Sequence, residues 1–406
     1  MDKSKECDCA IIGGGAAGVF AAICCARAFP HLKVHIYEQS KQFLTKVLLS
    51  GGGRCNVTHD CLDPEKLIAS YPRGGKELLG PFTRFGPREM VEWLDTEGVE
   101  VVAEQDGRIF PATHQSSTIA ETLMKAAERA GVHFHPHAKV ASIRREDSQA
   151  FTLTLREGEV RAERVMLATG GTRVGKSLAE ELGHTIIPPV PSLFTFNTPS
   201  SPLLALSGVS KERVTVQLPE WGLMAEGPLL ITHWGVSGPA VLKLSAWGAR
   251  ELNKCSYQTI CAIDWIPEIS EEEVIRAFQK LRQSHPKKCI ENDPQFKIPK
   301  ALWKVLVGDN QEKWGQMTLH SQKSLIERLK HFTLQIEGKT TYKEEFVTCG
   351  GVKLSEVDFR TMQSRICPGL YFGGEALDID GVTGGFNFQA AWTTGWTAGN
   401  AMGEGL

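Results

Sequence analysis

Hydrophobic and polar positions alternate in long-range blocks along the first 170 residues. Cys7–Ile12 has the length and apolar character of a short buried strand, Ala16–Phe29 reads as a helix, and Val34–Glu38 reads as a second strand. Strand, glycine turn, helix and strand make a βαβ unit, whose parallel strands need a right-handed crossover. Further on, Ile119, Leu123 and Ala127 recur at helical spacing. Thr118-Ile-Ala-Glu121 reads as a capping box opening that helix, and Gly131 as the residue that closes it. Arg164–Ala168 predicts another buried strand, ended by Thr169-Gly170-Gly171.

The rhythm changes at Pro188-Pro189-Val190-Pro191. Val214–Leu218 and Leu229–Thr232 have the look of antiparallel strands. Ser270-Glu-Glu-Glu273 is a second capping box, opening an amphipathic helix through Arg282, and more helical sequence runs from about Lys300 to Lys330. Near Phe346 the glycine-rich style returns and holds to the end, with a helix expected over Phe388–Met402. The expected organisation is one α/β domain in two pieces, 1–190 and 346–406. Between them lie a β-rich substrate domain, 191–262 and 331–345, and a small helical domain, 263–330.

Bulk properties narrow the function classes. A chain of 406 residues has room for about two or three domains. The net charge is −2, which gives no global field for nucleic acid or an acidic membrane. We therefore expect a small-molecule substrate, with no nucleic-acid and no membrane partner. The apolar stretch 7–29 is interrupted by Asp8 and a glycine cluster, short of the roughly 20 residues that a membrane span needs. Eleven cysteines without a CxxC predict a reduced, cytoplasmic protein. Nothing in the sequence fixes an oligomeric state.

The strongest chemical signal is Gly13-Gly14-Gly15-Ala16-Ala17-Gly18, a GxGxxG between a strand and a helix. The first glycine makes the tight turn, the second lets a pyrophosphate approach the backbone, and the third lets helix and strand pack closely. The N–H groups and dipole of the following helix favour phosphate charge. Glu38 lies 20 residues after Gly18, at the end of the second strand. A carboxylate there bonds ribose hydroxyls and repels a 2′-phosphate, which favours FAD or NAD over NADP. No second GxGxxG occurs; the nearest miss, Gly51-Gly52-Gly53-Arg54-Cys55-Asn56, lacks the last glycine.

That near miss also carries a resemblance. GGGAAG (13–18), SGGGRCNVT (50–58), GRIFP (107–111), LATGG (167–171), ITHWGVSGPAVLKLS (231–245), TCGGV (348–352) and GLYFGGEALDIDGVTGGFNFQAA (369–391) occur in the order found in one family. Over essentially its whole length the chain resembles the BaiN-like and aminoacetone-oxidase-like FAD-dependent oxidoreductases. The family pattern often has Asn where this chain has His59, and an acidic or small residue near His114. The resemblance implies a two-segment, Rossmann-like FAD-binding domain interrupted by a β-rich domain and a small helical one. It implies that loop 50–60 lies along the flavin, with Gly53 and Cys55 close to it and with Arg54 and Asn56 offering donors. It implies that Gly374 and Glu375 contact the ribityl and phosphate region. Gly385, Phe386 and Asn387 would open a helix whose positive end faces the flavin N1–C2=O edge. Gln39, Lys46, Val140, Ala168, Thr169 and Gly170 match further positions near the cofactor.

Other signals are weaker. His133, His135 and His137 would share a strand face, but Pro136 favours a polar strand end over a metal site. Cys55 and Cys61 could form a redox dithiol, yet disulfide reductases of this kind carry a second nucleotide loop. Gly235-Val-Ser-Gly238 lacks the spacing of a hydrolase elbow. The pair Lys287-Lys288 reads as a solvated face. The expected activity is hydride transfer between FAD and a small organic substrate, with NAD(P)H as a transient electron donor, and no side chain is singled out as catalytic acid or base. The alternatives are a non-redox or nucleic-acid-modifying flavoprotein and a flavin-linked disulfide reductase.

Overall fold

The computed structural model describes residues 5–308, 311–340 and 347–406. The described residues form two units: one up to Val190 and again from Val347, the other from Pro191 to Thr340. The boundary expected at 345/346 lies outside the described residues.

The sheet of the first unit runs in the order Val357–Asp358, Gln363–Ser364, Leu370–Phe372, Gly158–Leu167, Lys5–Ile12, Val34–Tyr37, His133–His135. The last five of these strands are mutually parallel. Cys9, Ala10, Ile11, Val34, Ile36, Val165 and Met166 are wholly buried. Burial on both faces explains why these strands read as continuous apolar runs rather than alternating ones. A side excursion, Val140–Arg145 and Phe151–Leu155, pairs antiparallel onto Gly158–Leu167.

Helix Ala16–Ala28 packs against the last helix, Phe386–Met402, and small residues set the distance. A Cβ on Gly395 would lie 2.6 Å from the Ala17 carbonyl oxygen, and one on Gly399 would lie 2.4 Å from that of Ala21. The helix expected from Thr118 starts earlier, as Ser116–Arg129 with Gln115 at its N-cap. Thr118 therefore sits inside the first turn, and its hydroxyl pairs with that of Thr113 (2.7 Å) instead of capping. Ile119, Leu123 and Ala127 form its buried face as the spacing predicts, and Gly131 follows the helix at φ 81°.

The second unit is a closed six-stranded antiparallel barrel of Thr195–Asn197, Gly235–Ser237, Leu223–Ile231, Ser210–Leu218, Gln258–Asp264 and Phe332–Thr340. Alternate residues such as Val214, Val216, Leu229, Ile231, Cys261 and Ile263 point inward. The capping box at Ser270 forms: its hydroxyl accepts from Glu273 N–H (3.3 Å), and the Glu273 carboxylate accepts from Ser270 N–H (2.8 Å). It opens helix Glu271–Ser284. The sequence from Lys300 to Lys330 makes two helices, Lys300–Val307 and Leu319–Lys330. The first ends at Gly308, whose φ of 73° cannot continue it. Trp303, Trp314 and Phe278 of this helical part share one hydrophobic core with Phe194, Phe196 and the barrel. No described helix is long and apolar enough to cross a membrane.

Candidate functional site

The site is built where the parallel strands end and two helices begin. Gly13 turns at φ 108°, and a Cβ there would lie 2.5 Å from the Ala168 carbonyl oxygen, so only glycine fits. Gly18 is fixed by packing: its Cβ would lie 2.0 Å from the Gly13 oxygen. Gly15 is different. Its φ of −86° suits any residue, and a Cβ added there meets nothing within 4 Å. The open side of the loop is thus at the helix N-terminus, where no side chain caps the Ala16–Ala28 helix.

Glu38 braces this loop. One carboxylate oxygen accepts from Gly14 N–H (2.8 Å), and the other accepts from the N–H and hydroxyl of Ser40 (both 2.8 Å). A carboxylate oxygen has more than one lone pair, so both still have room for a hydroxyl donor. Gln39 beside it is exposed, and Val140 is buried at the start of its strand.

Three more segments meet this loop. Ala168 N–H donates to Ile12 oxygen (2.9 Å), and Thr169 and Gly170 follow it. Glu375 Oε2 lies 3.7 Å from a Cβ position on Gly170 and accepts from Lys46 Nζ at 2.6 Å. Gly374, at φ 61°, would place a Cβ 3.2 Å from that of Ala17, and its N–H donates to Thr394 Oγ1 (2.9 Å). Residues 13–18, 38, 46, 168–170 and 374–375 are therefore gathered into one cradle.

The 50–60 loop belongs to a second cluster. Gly51, Gly52 and Gly53 follow one another at φ 58°, 65° and 84°, a left-handed run that ends the helix begun at Thr45. Cβ atoms on Gly52 and Gly53 would meet nothing, so this face is open. Arg54 pairs with Glu104 (2.8 Å) and lies over the Phe110 ring, 4.1 Å from its centroid. Cys55 is fully buried, and burial pushes its thiol up to about 12. Burial raises Cys61 as well. Thiols held above neutral are poor nucleophiles, so this pair lends nothing to a disulfide reductase.

Asn56 departs from the expected part of a free donor. With its amide oriented by its surroundings, the nitrogen donates to the carbonyls of Thr58 (2.9 Å) and Ile109 (3.2 Å), and the oxygen accepts from Gly385 N–H (2.9 Å). The side chain thereby ties loop 50–60 to the start of the last helix. That helix begins at Phe386, two residues before the expected Phe388, and no side chain caps it. Phe386 is buried and stacks on His59, with centroids 4.7 Å apart. Asn387 brackets Gly381, accepting from its N–H (2.8 Å) and donating to its oxygen (2.9 Å). From Phe386 to Thr394, whose hydroxyl accepts from Gly374 N–H, the helix rises by about 12 Å.

Two features escaped the sequence reading. Arg73 and Asp380 form an ion pair in which Asp380 is wholly buried, tying the turn before helix Gly75–Phe82 to the loop ahead of the last helix. Lys176 is a buried amine in helix Arg173–Glu181. Neither lies in a recognisable spacing. His133 and His135 do share a strand, and they meet His35 on the neighbouring one (centroids 4.6 and 5.0 Å). Among the described residues, no group of three or more His, Cys, Asp or Glu could hold a metal ion.

Comparison with known proteins gives a consistent picture. A family model described as "HI0933-like protein Rossmann domain" matches residues 7–401. The chain is 31% identical to a ribosomal RNA dihydrouridine synthase of Escherichia coli K12, with 96% of each chain covered. It is 30% identical to a 3-dehydro-bile acid delta(4,6)-reductase of Clostridium scindens, covering 97% of this chain and 98% of the other. Among solved structures it is similar to a 3-ketosteroid-Δ4-(5α)-dehydrogenase from Rhodococcus jostii RHA1 (TM-score 0.54, 15% identity, 98% and 97% covered). A flavocytochrome c3 fumarate reductase is also similar (TM-score 0.53, 14% identity, 99% and 78% covered). At these identities the structural likeness speaks for the fold alone.

Proposed function

The chain belongs to the HI0933-like family of FAD-dependent Rossmann-fold oxidoreductases, and from that premise we propose that it reduces an activated carbon–carbon double bond with hydride drawn from NAD(P)H. The observation that carries the reading is the pair of helix N-termini without a side-chain cap, at Gly15 and at Gly385. Unsatisfied N–H groups at a helix start favour negative charge. The Gly15 end suits a pyrophosphate, with Glu38 beside it for ribose hydroxyls. The Gly385 end suits the anionic edge of a reduced ring. Bound FAD would supply a ring that takes up a hydride and gives it on to substrate. The residues of this chain bind and orient: Glu38 fixes the phosphate loop, Asn56 fixes the second helix start, and Lys46 and Glu375 close the cradle between them.

Reduction is favoured over oxidation because the two relatives' names share one chemistry. A dihydrouridine is a uridine with its ring double bond saturated, and a delta(4,6)-reductase acts on conjugated unsaturation. Anaerobic mixing of the yellow protein with NADH or NADPH tests this. Bleaching by either, and recoloration on adding an enone or a uridine-containing RNA, is expected. Bleaching by a small amine alone would instead make it an amine oxidase.

A second reading, with RNA as substrate, has one observation of its own. Residues 271–330, from the start of helix Glu271–Ser284, carry twelve Lys and Arg against eight Asp and Glu, in a chain whose net charge is −2. The expectation of no nucleic-acid partner rests on the near-neutral total and on the lack of an evident basic stripe, and a total hides such a segment.

A further inference from the structure

Lys176 has a buried amine with no explained role. It sits in the first turn of helix Arg173–Glu181, where the Thr172 hydroxyl accepts from Gly175 N–H (3.2 Å). The residue is 6% exposed, and its Nζ has no hydrogen-bond partner among the described residues. A buried amine left in this way is costly, whether it is charged or neutral. Burial lowers its pKa, against the opposing pull of Glu375, Cys349 and Asp378, and Lys46 lowers it further. The two carboxylates near it are engaged elsewhere. Glu375 holds Lys46 (2.6 Å), and Asp378 accepts from Gly350 N–H (2.9 Å).

A second orphan lies close by. Thr169 Oγ1 is buried and has no partner among the described residues either. A Cβ on Gly175 would sit 1.7 Å from that hydroxyl, so the missing side chain there lets Thr169 and the helix's first turn approach. Thr169 thus precedes the turn at Gly170–Gly171, and Lys176 lies in the first turn of the helix that follows it. Gly170 faces Glu375. Two unanswered polar groups, one a strong donor, border the cradle already described.

We propose that the Lys176 amine, together with the Thr169 hydroxyl, is a binding contact for an oxygen acceptor of the bound dinucleotide, a phosphate or ribityl oxygen. The inference rests on the cradle reading given above. It makes Lys176 a residue built for the loaded protein, at a cost to the empty one.

That asymmetry defines the experiment. FAD is stripped from the full-length protein, and its rebinding is titrated by fluorescence for wild type, Lys176→Met, Lys176→Gln and Thr169→Val. Melting of each stripped protein is recorded alongside. Lys176→Met should weaken FAD binding about tenfold, the loss expected for a charged hydrogen bond. The same change should raise the melting temperature of the stripped protein, because it replaces an unpartnered amine by a methyl thioether. Lys176→Gln, which keeps a donor, should lose less affinity, and Thr169→Val should lose about threefold. FAD affinity within twofold of wild type in Lys176→Met would overturn the proposal. So would a lower melting temperature of that stripped variant, since the amine would then have a protein partner. Failure of the wild-type protein to take up FAD, or retention of FAD by Gly15→Val, would sink the cradle reading itself and is told apart by those two controls.

Discussion

At Gly15 and Gly18, three residues apart, substitution should give opposite phenotypes. The open space beside Gly15 and its ordinary φ mean that the protein alone does not need glycine there. Gly15→Val should fold with stability within about 0.5 kcal/mol of wild type, yet purify colourless, because its two methyl groups occupy the pyrophosphate's approach. Gly18→Ala must push a methyl against the Gly13 oxygen, a contact of 2.0 Å if nothing moves. Overpacking of that kind costs roughly 1–3 kcal/mol, to be read from urea midpoints. Glu38→Ala removes the acceptor of Gly14 N–H as well as the ribose partner. It should weaken FAD about tenfold, and unchanged affinity by titration would strip Glu38 of the ribose role. These glycine and glutamate positions were legible in the sequence because their partners lie within one βαβ unit. Asn56 was not, because the atom it holds belongs to Gly385, 329 residues later in the chain.

The edge of the parallel sheet offers a test among elements. His35 on strand Val34–Tyr37 faces His133 and His135 on strand His133–His135, with Tyr37, Cys7, Asp8 and Lys33 nearby. Burial, then the charges of His135 and His133, bring His35 down from its ordinary 6.5 to about 4. Between those values the unfolded chain binds a proton that the folded chain refuses, so stability rises with pH across that window. Full stability is expected above about 6.5, with a progressive loss as the pH falls towards 4. Melting temperature against pH should fall less steeply over this range in His35→Gln; an identical slope would assign the acid sensitivity to other groups. The strands themselves were readable because each is an apolar run bounded by glycine or a polar turn. The start of helix Ser116–Arg129 was not, because a Thr-x-x-Glu pattern resembles a cap wherever it falls, and only the chain's turn at Gln115 decides. The barrel was readable as strands but not as a closed ring: its closing pair joins Thr195–Asn197 to Phe332–Thr340, across about 140 residues that carry no local mark of the pairing.

At the scale of the whole molecule, net charge misleads. A value of −2 predicts indifference to nucleic acid only if the charge is spread evenly, and here it is not. The excess of cations in residues 271–330 falls within the second unit, and among the described residues several of them stand without a carboxylate partner. Lys288 is held by Asp293 (2.7 Å) and Lys304 by Glu291 (3.1 Å), whereas among the described residues Lys287, Lys297 and Lys300 form no ion pair. If RNA is the substrate, this segment supplies phosphate contacts, and affinity should fall with salt in proportion to their number. Reversing two charges, Lys287→Glu with Lys300→Glu, should then lower RNA affinity and reduce the slope of log affinity against log salt by about 1–2, measured with an rRNA fragment by filter binding. FAD content and bleaching by NAD(P)H should stay as in wild type, since neither residue belongs to the cradle. A wild-type protein whose RNA affinity is weak and unaffected by the reversal would leave the small enone as the substrate class. Reduction of that enone at an unchanged rate in the reversed variant would confirm that choice, because a neutral substrate gains nothing from these lysines.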